Sequence, residues 1–341
     1  AEDGIRDVAV TGVQTCALPI SSSLFNRENN IEDIKLLSEI IKKCWKKSGS
    51  SNKHVVLALN STSTIYKKTM ISDFDSEDAV KMQVDTEIVK YFPTGMSIDD
   101  VAIDYYNLGQ NPQSPTDNDT LLIAGKKEKI DELLAIVESA GLVPSILDVD
   151  IFAIQNLLRV SKGEDFLSKN YIFLDCSGSV LRMIVFKNAE IIYTKEIEIG
   201  GIQLTNEVML NLTLENFNEA EKMKIDRTGD ETYEMIEKQF LLNYAHEFLR
   251  ALDYFSSATS IKEVEEIILS GGMVNVPGLD EILSNVIQNN SEFKINHEIY
   301  IARPLSNINK GDRISLNKFN RDEAGLFLVS ALALRHFLRQ Y

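Results

Sequence analysis

The stretch that decides the fold extends from Tyr171 to Thr205 and reads YIFLDCSGSVLRMIVFKNAEIIYTKEIEIGGIQLT. It holds three short apolar runs separated by turn-forming residues: Tyr171–Asp175, Val180–Phe186 and Ile191–Ile197. Such runs, rich in β-branched and aromatic residues and bounded by Ser, Gly and Asn, are typical of strands. The stretch therefore predicts a three-stranded meander at the start of an α/β domain.

On both sides of the meander, the hydrophobic pattern alternates between strands and helices. Between residues 65 and 148 the predicted order is strand, helix, strand, strand, helix, strand, which is typical of a compact βαββαβ module. After the meander helical periodicity dominates, and a short buried strand is predicted at Ile267–Leu269. The sequence thus predicts an α/β protein with a small module ahead of a larger domain.

The composition excludes several classes of function. The 341 residues include 35 basic and 51 acidic side chains, and the net charge is −16. Because nucleic acids and anionic membrane surfaces are bound through Lys and Arg, this charge argues against both. The apolar run Ala324 to Leu334 is followed at once by Arg335, whereas roughly 20 apolar residues are needed to span a bilayer. Three irregularly spaced cysteines indicate a reducing compartment.

The first twenty residues differ in character from the rest. The strings AEDGIRD (1–7) and VTGVQTCALPI (10–20) resemble translated segments of a sequencing adapter, with Val8 and Ala9 in the place of an index. A signal peptide would instead need a basic start and a continuous apolar core of about 7–15 residues. We therefore expect Ala1–Ile20 to be foreign and the natural N-terminus to be missing.

The first candidate site is the run Asp175-Cys176-Ser177-Gly178-Ser179, on the turn after the first strand of the meander. Small residues leave backbone N–H groups accessible to a phosphate, and a carboxylate at the strand end can hold a water on phosphate-bound Mg²⁺. An ordinary hairpin turn is the alternative, because Asp, Ser and Gly all favour turns. Taken alone, the run favours the turn.

Three further segments have a similar ambiguity. In GGIQLT (200–205) a glycine pair precedes a helix that is predicted from Gln203 to Leu212, and in SGGM (270–273) another glycine pair follows a strand. Glycine lets the backbone approach a flat or charged ligand closely, although each pair alone favours a turn. In AEKMK (220–224), Glu221 and Lys224 share a helix face, which is also the spacing of a solvent-exposed ion pair.

Histidine-based catalysis is not predicted. The sequence contains four histidines, and none lies at metal-ligand spacing from a cysteine or another histidine: His54, His246, His297 and His336. The sequence also contains no GxSxG or P-loop string. We therefore assign no catalytic residue.

In their order and spacing, the four segments resemble the phosphate and adenosine motifs of the actin-like ATPase fold. The closer similarity is to the PilM family of type IV pilus assembly proteins, which is related to the division protein FtsA. It rests on IEIGGIQLTNEV (197–208), EAEKMKID (219–226), ILSGGMVNVPGL (268–279) and, nearer the start, TEIVKYFPTGMSIDDVAIDYYNLG (86–109). The resemblance is collinear and covers about residues 30 to 338.

The resemblance implies a fold and a ligand. The fold is a two-lobed α/β fold of the actin-like (ribonuclease-H-like) ATPase class, with an inserted βαββαβ-type subdomain and with the first strands of lobe one missing. The ligand is ATP with Mg²⁺, where Asp175 faces the metal; any enzymatic activity is expected to be at most that of a weak ATPase. The implied nucleotide contacts are Asp175, Ser177, Gly178, Ser179, Gly200, Gly201, Gln203, Thr205, Glu221, Lys224, Gly271, Gly272 and Met273.

The resemblance also implies a division of the chain. We expect five segments: 1–20, the adapter-derived extension; 21–60, a remnant of the first-lobe domain; 61–148, the inserted small α/β subdomain; 149–170, a connecting helix region; and 171–341, the second lobe with its phosphate and adenosine motifs. By the same resemblance the protein is cytoplasmic, at the inner face of the cytoplasmic membrane. There it binds the cytoplasmic tail of PilN and other pilus platform proteins, and it associates with the membrane through these partners alone.

Two alternative functions stay open. The family's second phosphate loop usually reads Asp-x-Gly, whereas Ser177 occupies the glycine position here. This substitution favours a nucleotide-free pseudo-ATPase scaffold of the same fold. An FtsA-like cell-division protein is the other alternative, and it would need an amphipathic C-terminal helix after a linker. The segment Phe327–Tyr341 follows the fold without a linker, which counts against it.

Overall fold

A computed structural model of the chain describes residues 34–72, 76–226, 229–304 and 323–338, and the adapter-like segment 1–20 lies outside these ranges. The chain divides into two compact units. The first comprises the chain up to Ala153 together with the part from Leu332 onward, and the second runs from Ile154 to Ala331. This division is coarser than the five expected segments, whose boundaries stay predictions.

The first unit contains two separate groups of strands. Its helices are α1 (Ile34–Ser48), α2 (Glu77–Ile88) and α3 (Lys127–Ser139), and its strands are β1 (His54–Leu59), β2 (Thr64–Ser72), β3 (Val101–Asn111), β4 (Ser114–Lys126) and β5 (Val143–Val149). Strands β2, β4 and β3 form an antiparallel sheet in this order, and β1 pairs with β5 in parallel. The predicted order of elements between residues 65 and 148 is therefore confirmed.

The pairing of β5 corrects one part of the prediction. A single βαββαβ module would place β5 beside the other module strands, but β5 pairs with β1 instead. The cause is α3, which lies against α1 and joins a small buried cluster: Val137, Ala140 and Leu142 with Ile41, Trp45, Val55 and Leu57. Because Val55 and Leu57 belong to β1, the chain leaves α3 next to β1, and β5 pairs there.

The three-stranded sheet has a core of its own. One of its faces packs against α2, where Ile71 and Leu122 lie with Val84 and Ile88. The N-cap of α2 is Ser76, whose side chain accepts a hydrogen bond from the Ala79 N–H. The three-stranded sheet and α2 thus share one core, whereas α3 contributes to a different cluster.

The second unit is built around a five-stranded sheet. Its strands are β6 (Asn170–Cys176), β7 (Leu181–Lys187), β8 (Glu190–Ile197), β10 (Glu266–Ser270) and β12 (Ile299–Ile301), in the order β12-β10-β6-β7-β8, while β9 (Glu263–Val264) and β11 (Lys294–Ile295) form a separate short pair. Its helices are α4 (Asp150–Lys162), α5 (Glu164–Ser168), α6 (Gly201–Asn211), α7 (Phe217–Asp226), α8 (Glu231–Thr259), α9 (Leu279–Asn290) and α10 (Phe327–Leu338). Of these, α4 and α10 contribute residues to both units. The predicted meander is confirmed as β6, β7 and β8.

The strands β6 and β7 of the five-stranded sheet are largely buried on both faces, as their apolar runs predict. On one face it packs against the 29-residue helix α8, whose aromatic side chains fill the core: Tyr233, Phe240, Tyr244, Phe248 and Phe255. On the other face, the ring of Phe173 lies against that of Phe327, with centroids 4.7 Å apart. Because both faces are covered, a ligand reaches this sheet at the ends of its strands.

The directions of the strands bring several loops to one end of the sheet. Strand β10 runs parallel to β6 and to β12. Strand β8 is also parallel to β6, because β7 is antiparallel to both. The carboxyl ends of β6, β8, β10 and β12 therefore meet at one edge, which we call the carboxyl edge.

Candidate functional site

Three of the four predicted segments follow strands that end at the carboxyl edge. The run 175–179 follows β6, the run 200–205 follows β8, and the run 270–273 follows β10. Ligands of α/β proteins bind at the carboxyl ends of strands, where connecting loops leave the sheet. The strand directions thus place the predicted segments where a ligand site is expected.

The turn after β6 packs directly on the start of α6. The Gly201 N–H donates to the Ser177 carbonyl at 3.2 Å, and the Ile202 N–H donates to the Gly178 carbonyl at 2.8 Å. A Cβ atom on Gly200 would lie 2.4 Å from the Gly178 carbonyl oxygen, which is closer than real Cβ contacts come. Glycine at position 200 therefore permits this approach of two backbones.

This packing identifies the backbone donors that are left for an anion. Helix α6 begins at Gly201, two residues before the helix start predicted at Gln203. The N–H groups of its first turn are already bonded to the β6–β7 turn and to Gly200. Gly178 and Ser179 are exposed, and among the described residues their N–H groups have no partner. These two donors can therefore bind a phosphate oxygen.

A polar cluster joins α6 to α7. The Lys224 ammonium donates to Thr205 Oγ1 at 2.8 Å and to the Gly201 carbonyl at 3.2 Å, and it pairs with Glu221 at 2.7 Å. The Thr205 hydroxyl donates to the Glu221 carboxylate at 2.6 Å. Only 14% of the Lys224 side chain is exposed, so this is no solvent-exposed ion pair. The cluster holds the first turn of α6 in place.

The glycine segment after β10 packs against the end of β6. Gly271 has φ +92°, and a Cβ there would lie 2.4 Å from the Cys176 carbonyl oxygen. Its N–H donates to the Ala324 carbonyl, which also accepts a hydrogen bond from the Ser270 hydroxyl at 2.8 Å. Met273 is buried, and its sulfur lies 3.1 Å from the position of a Cβ on Gly201. The segment after β10 is thereby brought against both other loops.

The Asp175 carboxylate, near the end of β6, accepts hydrogen bonds from two side chains. Oδ1 accepts a hydrogen bond from the Ser177 hydroxyl at 2.6 Å, and Oδ2 accepts one from Arg182 Nη2 at 3.1 Å. Burial raises the pKa of the neighbouring Cys176 thiol to about 12. Cys176 therefore stays protonated and is neither a nucleophile nor a metal ligand at neutral pH.

The thirteen predicted site residues differ in whether they contact one another. It brings ten of them together through the contacts above: Asp175, Ser177, Gly178, Gly200, Gly201, Thr205, Glu221, Lys224, Gly271 and Met273. Ser179, Gln203 and Gly272 are exposed beside them, without a side-chain contact to the rest of the set. The sequence interpretation missed Arg182, although a charged residue inside an apolar strand run is a signal that could have identified it.

A metal ion would find few protein ligands here. Within the described ranges, no group of three or more His, Cys, Asp and Glu side chains could hold a metal ion. Asp175 is the single carboxylate at the end of β6, and both of its oxygens already accept hydrogen bonds. The residues present therefore fit an Mg²⁺ that is carried by phosphate groups, with Asp175 reaching it through water.

The fold and the carboxyl edge with its glycine loops define the class of protein: an α/β protein of the actin-like ATPase fold. A solved structure described as the PilM-PilN type IV pilus biogenesis complex matches with a TM-score of 0.74, at 20% identity, over 93% of this chain and 89% of that chain. The family model of type IV pilus assembly protein PilM matches residues 13–337, and the chain belongs to this family. The predicted family and fold class are thereby confirmed, and the FtsA-like alternative is not favoured.

Two other solved structures show weaker similarity. MreB5 of Spiroplasma citri bound to ADP matches with a TM-score of 0.49 and 9% identity, over 91% of this chain and 77% of that chain. Ethanolamine utilization protein EutJ from Carboxydothermus hydrogenoformans matches with a TM-score of 0.40 and 15% identity, over 60% of each chain. The fold assignment rests on the PilM comparison. Over the ranges that the structure describes, no helix has the length and apolar character to cross a membrane.

Proposed function

We propose that this pilus assembly protein binds the cytoplasmic tail of a PilN-like protein at the inner face of the cytoplasmic membrane and so connects the assembly platform to the cytoplasm. The similarity to a PilM structure solved in complex with PilN carries this proposal. The tail is a short peptide, so it needs a surface with accessible apolar side chains.

The first unit offers such a surface on the three-stranded sheet. One face of the sheet is covered by α2, whereas the other carries Lys68, Met70, Tyr106 and Leu121, and we call these four residues the open sheet face. Tyr106 is 65% exposed and Met70 54% exposed. Lys68, Leu121 and Tyr106 lie side by side in register across the three strands. An aromatic ring beside aliphatic side chains is the usual anchor of a peptide site.

Replacing Tyr106 with alanine tests this assignment. We expect Tyr106→Ala to weaken binding of a fluorescent PilN-tail peptide from the same genome by about tenfold or more, because exposed aromatic anchors contribute about 2 kcal/mol. Met82→Ala is the matched control, since Met82 is 72% exposed but belongs to α2. Fluorescence polarisation measures both. Equal affinities of the two variants would place the tail elsewhere.

We also propose that ATP binds at the carboxyl edge of the second unit, through the thirteen residues predicted from the sequence. The N–H groups of Gly178 and Ser179, which have no partner among the described residues, support this proposal, because backbone contacts orient the turn that carries them. Mg²⁺ would arrive on the phosphates and neutralise part of their charge, with Asp175 holding a water on it. We assign no catalytic residue and propose no hydrolytic step.

The Lys224 cluster provides the test of nucleotide binding. We expect Lys224→Met to weaken binding of a fluorescent ATP analogue by about tenfold, because the ammonium that ties α6 to α7 is lost. Lys222→Met is the control, since it removes the same charge from an exposed position of the same helix. If the unaltered chain binds no nucleotide, the pseudo-ATPase scaffold is the correct function and the peptide proposal still stands.

A further inference from the structure

Helix α1 carries a basic surface on an otherwise acidic chain. The helix contains five lysines and one acidic residue, Glu39, so it contributes +4 to a chain whose net charge is −16. All five lysines are exposed, and within the described ranges none forms an ion pair with an acidic side chain; we call these residues the lysine face: Lys35, Lys42, Lys43, Lys46 and Lys47. The lysine face therefore has charge to offer to a partner.

The spacing of these lysines is unfavourable for the isolated helix. Lys42 and Lys46 are four residues apart, and the next two lysines repeat this spacing. Like charges four residues apart on a helix repel one another. Elsewhere a lysine of the same unit is compensated, because Lys129 of α3 pairs with Glu132 at 3.1 Å. A pattern that lowers helix stability without an internal compensation indicates an external one.

The opposite side of α1 fixes the helix in place. Leu37 and Cys44 are buried, and Trp45 packs in the α3 cluster and donates its indole N–H to the Asn52 carbonyl at 2.9 Å. The exposed side chains lie in two rows, each with intervals of seven and four residues: Lys35, Lys42 and Lys46 in the first, and Leu36, Lys43 and Lys47 in the second. Each row is about 16 Å long on a helix.

The net charge of the chain determines which kind of anionic partner fits the lysine face. A bilayer or a nucleic acid extends far beyond one helix and would bring its charge against the acidic remainder of the chain. A single acidic segment contacts α1 alone. Side chains that repeat at intervals of seven and four residues along one face are those of a helix.

We propose that the lysine face of α1 binds a carboxylate-rich helix of a partner protein, whose acidic side chains repeat at intervals of seven and four residues. Opposite Glu39 this partner carries a neutral or basic side chain, because a carboxylate there would be repelled. The proposal rests neither on the proposed peptide site of the open sheet face nor on the proposed ATP site.

The probe is a fluorescent, helix-stapled peptide of Ala, Gln and Glu with about 18 residues, roughly 27 Å long. Its Glu side chains occupy one face at the intervals given above. By fluorescence polarisation, we expect the unaltered chain to bind it about tenfold more tightly than a stapled peptide of the same composition with Glu on all faces. Equal binding of the two peptides would overturn the proposal.

A triple variant of the first row tests which lysines are responsible. We expect Lys35→Gln, Lys42→Gln and Lys46→Gln together to weaken binding of the probe by about tenfold, because three charge pairs are lost. The control removes three exposed lysines of the second unit and changes the net charge equally: Lys187→Gln, Lys238→Gln and Lys262→Gln. Equal effects of the two triple variants would overturn the proposal, and circular dichroism establishes that both are folded.

A change in the opposite direction is expected at Glu39. Glu39→Gln should strengthen binding of the probe by about threefold, because it removes the one like charge beside the lysines. Weaker binding by this variant would overturn the proposal, since loss of helix structure would weaken binding in every variant.

Vesicles of phosphatidylglycerol and phosphatidylethanolamine test the competing occupant. We expect the unaltered chain not to sediment with them at about 0.15 M salt, because the acidic remainder of the chain is repelled. Sedimentation that the triple variant of the first row abolishes would overturn the proposal in favour of a membrane. Self-association in analytical ultracentrifugation that the same variant abolishes would overturn it in favour of a second copy of this chain.

Discussion

Replacing Gly271 with alanine is expected to lower the free energy of unfolding by about 3 kcal/mol or more. Two effects add. The backbone at φ +92° is strained for any residue with a Cβ, and that Cβ would lie 2.4 Å from the carbonyl oxygen and 2.9 Å from the nitrogen of Cys176. Cys176 is itself fully buried and ends the central strand of its sheet, so its backbone cannot move aside. Urea unfolding followed by circular dichroism measures the change.

The neighbouring glycine supplies the control for this prediction. An alanine Cβ at Gly272 would meet no heavy atom within 4 Å. We therefore expect Gly272→Ala to change the free energy of unfolding by less than about 1 kcal/mol. Equal destabilisation by the two substitutions would show that the close approach of β10 to β6 does not govern stability here.

The second large effect is expected at Gly200. Gly200→Ala should weaken ATP binding by about a hundredfold, because the new Cβ would lie 2.4–2.7 Å from the carbonyl oxygens of Gly178 and Ser177. The two backbone hydrogen bonds between this turn and α6 would then break. The exposed donors of Gly178 and Ser179 would lose their orientation. Titration with a fluorescent ATP analogue measures the affinity, and circular dichroism establishes that the variant is folded.

Gly178→Ala is the control for this prediction. It shows whether loss of the close contact at Gly200, and not the loss of any glycine near this turn, weakens ATP binding. A Cβ at Gly178 would contact only the Ile202 side chain, at the ordinary distance of 3.6 Å. We expect its effect on ATP affinity to stay below about tenfold. If Gly200→Ala binds ATP as tightly as the unaltered chain, the β6–β7 turn does not contribute to the nucleotide site.

The sequence predicted best where local pattern and burial agree. The meander was predictable because β6 and β7 are mostly apolar, and turn residues separate them. The low helix propensity of glycine predicts a helix start after Gly201. Helix α6 begins earlier, at Gly201, because the Gly201 N–H donates a hydrogen bond to the Ser177 carbonyl. A tertiary hydrogen bond of this kind has no local signal.

Long-range pairing was less accessible from the sequence. Strand β5 follows the module in sequence, yet it pairs with β1, because the α3 cluster lies against β1. The role of Arg182 was missed for a related reason. Asp175 and Arg182 become neighbours only when the exact register of the β6–β7 hairpin is known, and periodicity does not determine that register.

The three-stranded sheet of the first unit has a consequence for how the family can diversify. The chain enters this sheet at Thr64 and leaves it near Gly125, and these two residues are paired on adjacent strands. The segment between them therefore begins and ends at one place, and its core of Ile71, Val84 and Leu122 is its own. A segment with adjoining ends can be exchanged, lengthened or recombined without moving the strands that flank it. Related chains could thus acquire new partners by replacing this sheet while the β1–β5 pair and the glycine loops at the carboxyl edge stay unchanged.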